Sequence, residues 1–209
     1  MSDNISFKIL ESIPVIHGRI NAAIAEEANR IVKQGQDQIK RKIKQLAGEW
    51  VESQPEMIAL SNNSLAAELG LRFGTAASAI DAIVIAVKEA TTVKVEKMDS
   101  WLRGGITLQF QPSNFANLLG LAQGHQKFAE GGDLHWLKWL LVEGHRMIVV
   151  NYHFEAEAGA GRSRGGVMTK GGAWRVPPQH AGVEDDNFIT RAFSEREREI
   201  TKVIEAAFS

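Results

Sequence analysis

A helical repeat of apolar positions dominates the first quarter of the chain. The apolar residues step by threes and fours through Ile20, Ile24, Ala28, Ile31, Gly35, Ile39, Ile43, Leu46 and Trp50. The pattern predicts an amphipathic helix from about Arg19 to Glu52, roughly 50 Å long at the standard rise per residue. Gly35 lies within a polar run that weakens the middle of this helix. A kinked helix or two collinear helices is therefore an alternative to one straight helix. Because the helix is longer than a small core covers, either part of its stripe packs on another subunit or the helix lies across its own sheet.

The middle of the chain predicts a helix followed by a β-hairpin. Pro55 ends the long helix, and residues 61–63 (Ser-Asn-Asn) are a helix-start signal. Residues 75–89 place apolar side chains on one helical face, although their β-branched run leaves a buried strand open. The alternation over Thr91–Met98 and Gly105–Gln111 predicts two paired strands.

Further along, helical and strand patterns are shorter. Residues 114–122 predict a short helix, and a loop runs through Gly124 to Gly132. A helix follows, begun by Asp133 and ended by Gly144. Met147–Phe154 predicts a strand that pairs with Ala173–Val176 across a glycine-rich excursion, and Ser194 with Glu197 predicts a capping box that begins an amphipathic closing helix.

Together these elements predict one α+β domain over residues 1–209. It has a long helical N-terminal arm (1–54), a small, mostly antiparallel sheet, a C-terminal helix and a long Gly/Arg-rich docking loop (157–172). Val167 and Met168 are the larger apolar residues of this loop, so it buries too little surface to offset its ordering entropy. We therefore expect it to be mobile alone and to become fixed by a partner.

Composition narrows the classes of function. The formal net charge of −1 argues against nucleic-acid binding by bulk electrostatics, although local basic patches remain open. The absence of cysteine excludes disulfides and thiolate metal sites. Neither a signal peptide nor a membrane span is visible, so we expect a soluble protein made in the cytoplasm.

The sequence contains only weak indications of catalytic or metal-binding residues. His135, His145 and His153 are spaced by ten and eight residues, without the short spacing of HExxH-type sites. His153, Glu155 and Glu157 alternate along a strand, which leaves a metal site on one face as a minor alternative. The glycine-rich loop lacks the GxxxxGK[ST] order of a phosphate-binding loop. The sequence therefore predicts no catalytic residue, no metal and no cofactor.

The glycine-rich segment instead favours a docking element. Its candidate partner-binding residues are Arg162, Arg164, Lys170, Trp174 and Arg175. Arginine offers forked, permanently charged donors, and Trp and Arg are common at interface hot spots. For Trp174 an ordinary core position is equally open. The acidic run 184–186 is either solvated or pairs with arginines of a neighbouring copy, and the loop is compatible with weak contact to a passing DNA duplex.

The second half of the chain resembles virion proteins of tailed bacteriophages, of the neck and tail-completion type. The resemblance is carried by WLKWLLVEG (136–144), the following strand, GRSRGGVM (161–168), WRVPP (174–178), AG (181–182) and DNFITRAF (186–193). It is strongest over residues 133–208 and loose over 60–120.

The resemblance implies a non-enzymatic virion subunit, assembled in the host cytoplasm, that forms a homo-oligomeric ring. That ring joins the head, at the portal or connector, to the tail tube or tail terminator proteins. A tail terminator or other connector ring subunit is the alternative. A metal-dependent hydrolase using His153 and a small DNA-binding regulator are less favoured.

Overall fold

The computed structural model describes residues 10–128, 132–156, 158–159 and 161–208, and its fold is α+β. The helices are α1 (Ile13–Glu52), α2 (Pro55–Ser61), α3 (Ser64–Glu68), α4 (Ala76–Ala90), α5 (Ala116–Leu119), α6 (Trp136–Leu141), α7 (Phe188–Phe193) and α8 (Glu197–Ala206). The strands are β1 (Thr92–Glu96), β2 (Gly105–Gln109), β3 (Gln126–Lys127), β4 (Asp133–Leu134), β5 (Val149–Glu155) and β6 (Val167–Trp174).

The predicted long helix is confirmed as α1, which runs unbroken for 40 residues. It begins earlier than Arg19, because Pro14 in the first turn is compatible with a helix start. Gly35 does not interrupt the helix, so the alternative of two separate helices is excluded. A Cβ on Gly35 would lie 3.0 Å from the Ala207 carbonyl oxygen and 3.3 Å from the Phe208 ring. Gly35 therefore allows the closing helix to pack closely on α1.

The hydrophobic core forms around the second half of α1. Ile39, Ile43 and Val51 are fully buried there, and they are joined by Ile83 and Val87 of α4, on the helical face that the sequence predicted. The other buried helical residues include Met57, Leu60, Leu65, Leu118, Trp136, Leu137, Leu140, Leu141 and Phe188. Helices α2, α4 and α7 pack directly on α1, and α3, α5 and α6 pack on those helices.

The strands form three separate two-stranded antiparallel hairpins, β1–β2, β3–β4 and β5–β6, instead of one small sheet. The β1–β2 hairpin confirms the alternation seen in the sequence, with Val93 opposite Leu108 and Val95 opposite Ile106. It is attached to the first half of α1 through the Asn29 side chain. The Asn29 amide donates to the Met98 carbonyl (2.9 Å), and its oxygen accepts from the Met98 N–H (2.8 Å).

Strand β6 starts six residues before the predicted strand at Ala173. Residues 167–172, which the sequence analysis assigned to the docking loop, therefore pair with β5 in a hairpin. The register shifts where Asn151 lies opposite Gly171 and Gly172, all three with positive φ. Glycine adopts this backbone without strain, which lets a glycine-rich stretch continue the strand through the irregularity. Glu157 and Ala160 of the predicted loop lie outside the described residues.

The predicted end of the long helix before Pro55 is confirmed, and Pro55 also begins α2, since proline suits the first turn of a helix. Two predicted helix starts are wrong. Asp133 lies in β4, and α6 begins after His135. Ser194 makes no capping box, because α8 begins after Arg196 with no side-chain cap.

A capping box instead begins α7, at Asn187. The Asn187 side-chain oxygen accepts from the Ile189 and Thr190 N–H groups (3.0 and 3.1 Å), and the Thr190 hydroxyl accepts from the Asn187 N–H (2.9 Å). The Asn187 amide also donates to the carbonyls of Leu141, Val183 and Glu184. One fully buried side chain thus joins α7, the end of α6 and the turn at 183–186.

We predict that Asn187→Ala lowers the free energy of unfolding by about 2–4 kcal/mol, because it removes a helix cap and leaves buried carbonyls unpaired. Urea denaturation measures the loss. Asn21→Ala, a half-buried position on α1, is the control and stays within about 0.5 kcal/mol of wild type. Equal stability of the two variants would show that the Asn187 junction is dispensable.

Candidate interaction surfaces

The central part of the glycine-rich segment is bound to the chain's own helices. The Arg162 side chain donates from Nε to the Gly70 carbonyl (2.8 Å), and the Arg162 carbonyl accepts from the Phe73 N–H (3.2 Å). Asn63 donates to the carbonyl of Ser163 (3.1 Å), which is itself buried. The expectation that only a partner supplies contacts to this segment is therefore wrong for residues 162–166.

Two glycines make this close docking feasible. A Cβ on Gly165 would overlap the Cβ of Ala67 in α3, and a Cβ on Gly166 would lie 2.5 Å from the Glu155 carbonyl oxygen. Gly166 also has φ +150°, which L side chains rarely adopt. The two glycines therefore allow the segment to approach α3 and strand β5 closely.

The five predicted partner-binding residues do not form one cluster. Arg162 and Arg164 lie against the α3–α4 connection. Lys170 is exposed opposite Tyr152 in the β5–β6 hairpin, and Arg175 is exposed just after that hairpin. Trp174 is 5% exposed and belongs to the hydrophobic core, which was the alternative left open for it.

Two of the arginines stack on aromatic rings that the sequence analysis did not single out. The Arg162 guanidinium carbon lies 4.5 Å from the centroid of the Phe128 ring, and that of Arg164 lies 4.9 Å from the Phe73 ring. Burial, and secondly the positive charge of Arg72, lower the pKa of Arg162. We name Arg72, Arg162 and Arg164 the arginine cluster. None of the three forms an ion pair with a carboxylate among the described residues.

The first half of α1 carries an exposed apolar stripe. Ile13, Ile20 and Ile24 are 68%, 50% and 48% exposed, and their spacing of seven and four residues puts them on one helical face. Further along α1, the end of α8 packs at Gly35. We name Ile13, Ile20 and Ile24 the N-terminal stripe. No described residue buries it.

His153 uses both ring nitrogens in hydrogen bonds. Nδ1 lies 2.9 Å from the Gly171 carbonyl oxygen, and Nε2 lies 2.8 Å from a Glu155 carboxylate oxygen and 3.2 Å from the Thr169 hydroxyl. These contacts favour the protonated ring and disfavour metal ligation, which needs a free nitrogen lone pair. In the described ranges no group of three or more His, Cys, Asp or Glu side chains is placed to hold a metal ion.

We predict that an NMR titration of His153 gives a pKa above 6.5. The Gly171 carbonyl and then the Glu155 carboxylate raise the pKa of this imidazole from that value. Because the folded pKa is the higher one, the stabilisation is present below the unfolded pKa and is lost as pH rises through the folded pKa. His153→Gln assigns the resonance, and a midpoint below 6.5 would contradict the hydrogen-bond arrangement.

A mainly apolar cavity of about 320 Å³ lies between the glycine-rich segment, α3 and the β5–β6 hairpin. Glu68 and Trp174 line it, and burial raises the pKa of Glu68 while the Trp174 indole opposes this rise. The indole N–H makes no hydrogen bond of standard geometry with a described residue. A lone carboxyl beside an indole offers no nucleophile with an adjacent base.

Comparison of the chain with protein-family models, with curated proteins and with solved structures finds no match in any of the three. Among the helices of the described residues, none is long and apolar enough to cross a membrane.

Proposed function

We propose that this protein is a structural virion subunit of a tailed bacteriophage. In this role it forms a neck or tail-completion ring that joins the portal or connector of the head to the tail. The proposal combines the resemblance of residues 133–208 with one structural observation, the N-terminal stripe of α1. Copies of the same chain are its first partners, and head and tail proteins contact the finished ring.

The length of α1 supports self-association. At 1.5 Å per residue the 40-residue helix is roughly 60 Å long. A compact domain of 209 residues has a diameter of roughly 43 Å from the usual size scaling. The helix therefore extends beyond its own core, and the extension bears the isoleucines that no described residue covers. Burying an isoleucine is favourable by roughly 2 kcal/mol, so a subunit contact on this stripe stabilises an assembly.

The charge and the histidine geometry also favour assembly over catalysis. A formal net charge of −1 gives no general attraction to DNA, which suits a ring that DNA passes. The metal-dependent hydrolase alternative needs a free nitrogen lone pair at His153, and both ring nitrogens are hydrogen-bonded, to Gly171, Glu155 and Thr169. A tail terminator would use the same surfaces, so binding to purified portal or tail proteins is the measurement that separates the two roles.

We predict that Ile20→Asp/Ile24→Asp converts the oligomer to a monomer, because two carboxylates in an apolar contact remain unpaired. The subunit stays folded, since both side chains are about half exposed in it. Light scattering and circular dichroism measure the two effects.

The matched control is Ile58→Asp/Ile85→Asp, at positions 53% and 54% exposed outside the stripe. It leaves the oligomer intact. A stripe variant that keeps the wild-type mass, or a control that dissociates as readily, would contradict the assignment of the stripe to the subunit contact.

A further inference from the structure

We infer that the arginine cluster of one copy binds an acidic corner, Glu184 and Asp185, on the next copy in the ring. This inference rests on the proposed function, and it adds a second, charged contact to the one made by α1. It also gives the ring a direction, because the two surfaces are different parts of the same chain.

The arginine cluster presents its charge in a fixed geometry. Arg164 stacks on the Phe73 ring, and Arg162 is held between the Phe128 ring and the Gly70 carbonyl. Stacking fixes the plane of a guanidinium and leaves N–H groups on its edge free for carboxylates. The exposed Arg72 lies close enough to Arg162 to lower its pKa. The three arginines form no ion pair with a carboxylate of the described residues. Their mutual repulsion is therefore relieved when an anion binds to them.

The acidic corner is equally well fixed. Val183 and Asp186 exchange backbone hydrogen bonds of 2.9 and 3.1 Å, so Glu184 and Asp185 form the two central residues of a tight turn. The buried Asn187 amide holds the Val183 and Glu184 carbonyls. Asp186 pairs with Arg191, whereas Glu184 and Asp185 are exposed and form no ion pair with a described residue.

A groove beside the acidic corner is lined in part by aromatic rings. It has a volume of about 520 Å³, and its lining includes Glu184 and Asp185 together with Phe110, Phe115 and Phe193. The rings of Phe110 and Phe193 stack with their centroids 4.6 Å apart. Phe73, which carries Arg164 on its face, is 51% exposed. A phenyl ring entering this groove would bring its arginine to the acidic rim.

The two surfaces lie at opposite ends of α4. Phe73 lies three residues before the first residue of α4, and the Phe110 carbonyl accepts from the Thr91 hydroxyl directly after its last residue (3.5 Å). A helix of 15 residues spans roughly 22 Å. The arginine cluster therefore cannot reach the acidic corner of its own chain. Contacts between different patches at opposite ends join copies head to tail, which closes a ring when the rotation between copies is suitable.

The test exchanges the charges on each surface. One variant is Arg72→Glu/Arg164→Glu and the other is Glu184→Arg/Asp185→Arg, with Lys40→Glu/Arg41→Glu on the exposed face of α1 as the control. Circular dichroism checks that each is folded, and light scattering at physiological salt measures association. We expect each exchanged variant alone to associate about tenfold more weakly, and the control to match wild type. An equimolar mixture of the two variants associates more tightly than either variant alone, because each contact between unlike variants again pairs opposite charges.

Failure of this inference is distinguishable from failure of the proposed function. Unchanged masses for both exchanged variants, with the Ile20→Asp/Ile24→Asp variant monomeric, would overturn the charged contact and leave the ring subunit standing. A mixture that associates no more tightly than either variant alone overturns it as well. If the Arg72→Glu/Arg164→Glu variant keeps its mass but loses binding to a short duplex DNA, the arginine cluster binds polyanions, and the contact between copies is overturned. A wild-type protein that is monomeric at every concentration would contradict both proposals.

Discussion

The length of α1 is the constraint on which the rest of this structure depends. Its second half supplies the buried residues Ile39, Ile43 and Val51, and helices α2, α4 and α7 pack on α1. Its first half receives one hairpin, attached through Asn29, and keeps an isoleucine stripe exposed. A helix of this kind is a stable extension only because its other half is firmly buried. The subunit contact that we propose follows from that division.

The glycine-rich segment has a different role from a flexible tether. Arg162 binds it to the α3–α4 connection, Ser163 and Gly165 bind it to α3 and Asn63, and strand β6 begins at Val167. The segment therefore positions arginines at one end of α4, whereas Asn187 positions carboxylates beyond the other end. A pair of rigid, oppositely charged surfaces is better suited to a repeated contact than a mobile arm, because less conformational entropy is lost when copies join.

Periodicity in the sequence was sufficient to predict the elements with long or regular patterns. The helix α1, the helix α4 and the β1–β2 hairpin follow from the spacing of their apolar residues. The capping box was predicted at Ser194 but lies at Asn187. The Asn187 amide donates hydrogen bonds to the carbonyls of Leu141 and Val183, and these carbonyls come close to it only when the chain folds. The arginine contacts were missed for the same reason. Arg162 meets Gly70 across 92 positions, and no local pattern reports a contact of that separation.

The most direct test of this account is the mass of the wild-type protein in solution, measured by light scattering over a wide range of concentration. The account predicts a closed oligomer whose mass is a fixed whole multiple of the 23.0 kDa subunit and does not grow further on concentration. A single species of subunit mass throughout that range would contradict it, because the stripe on α1 would then be stable in water without a second copy.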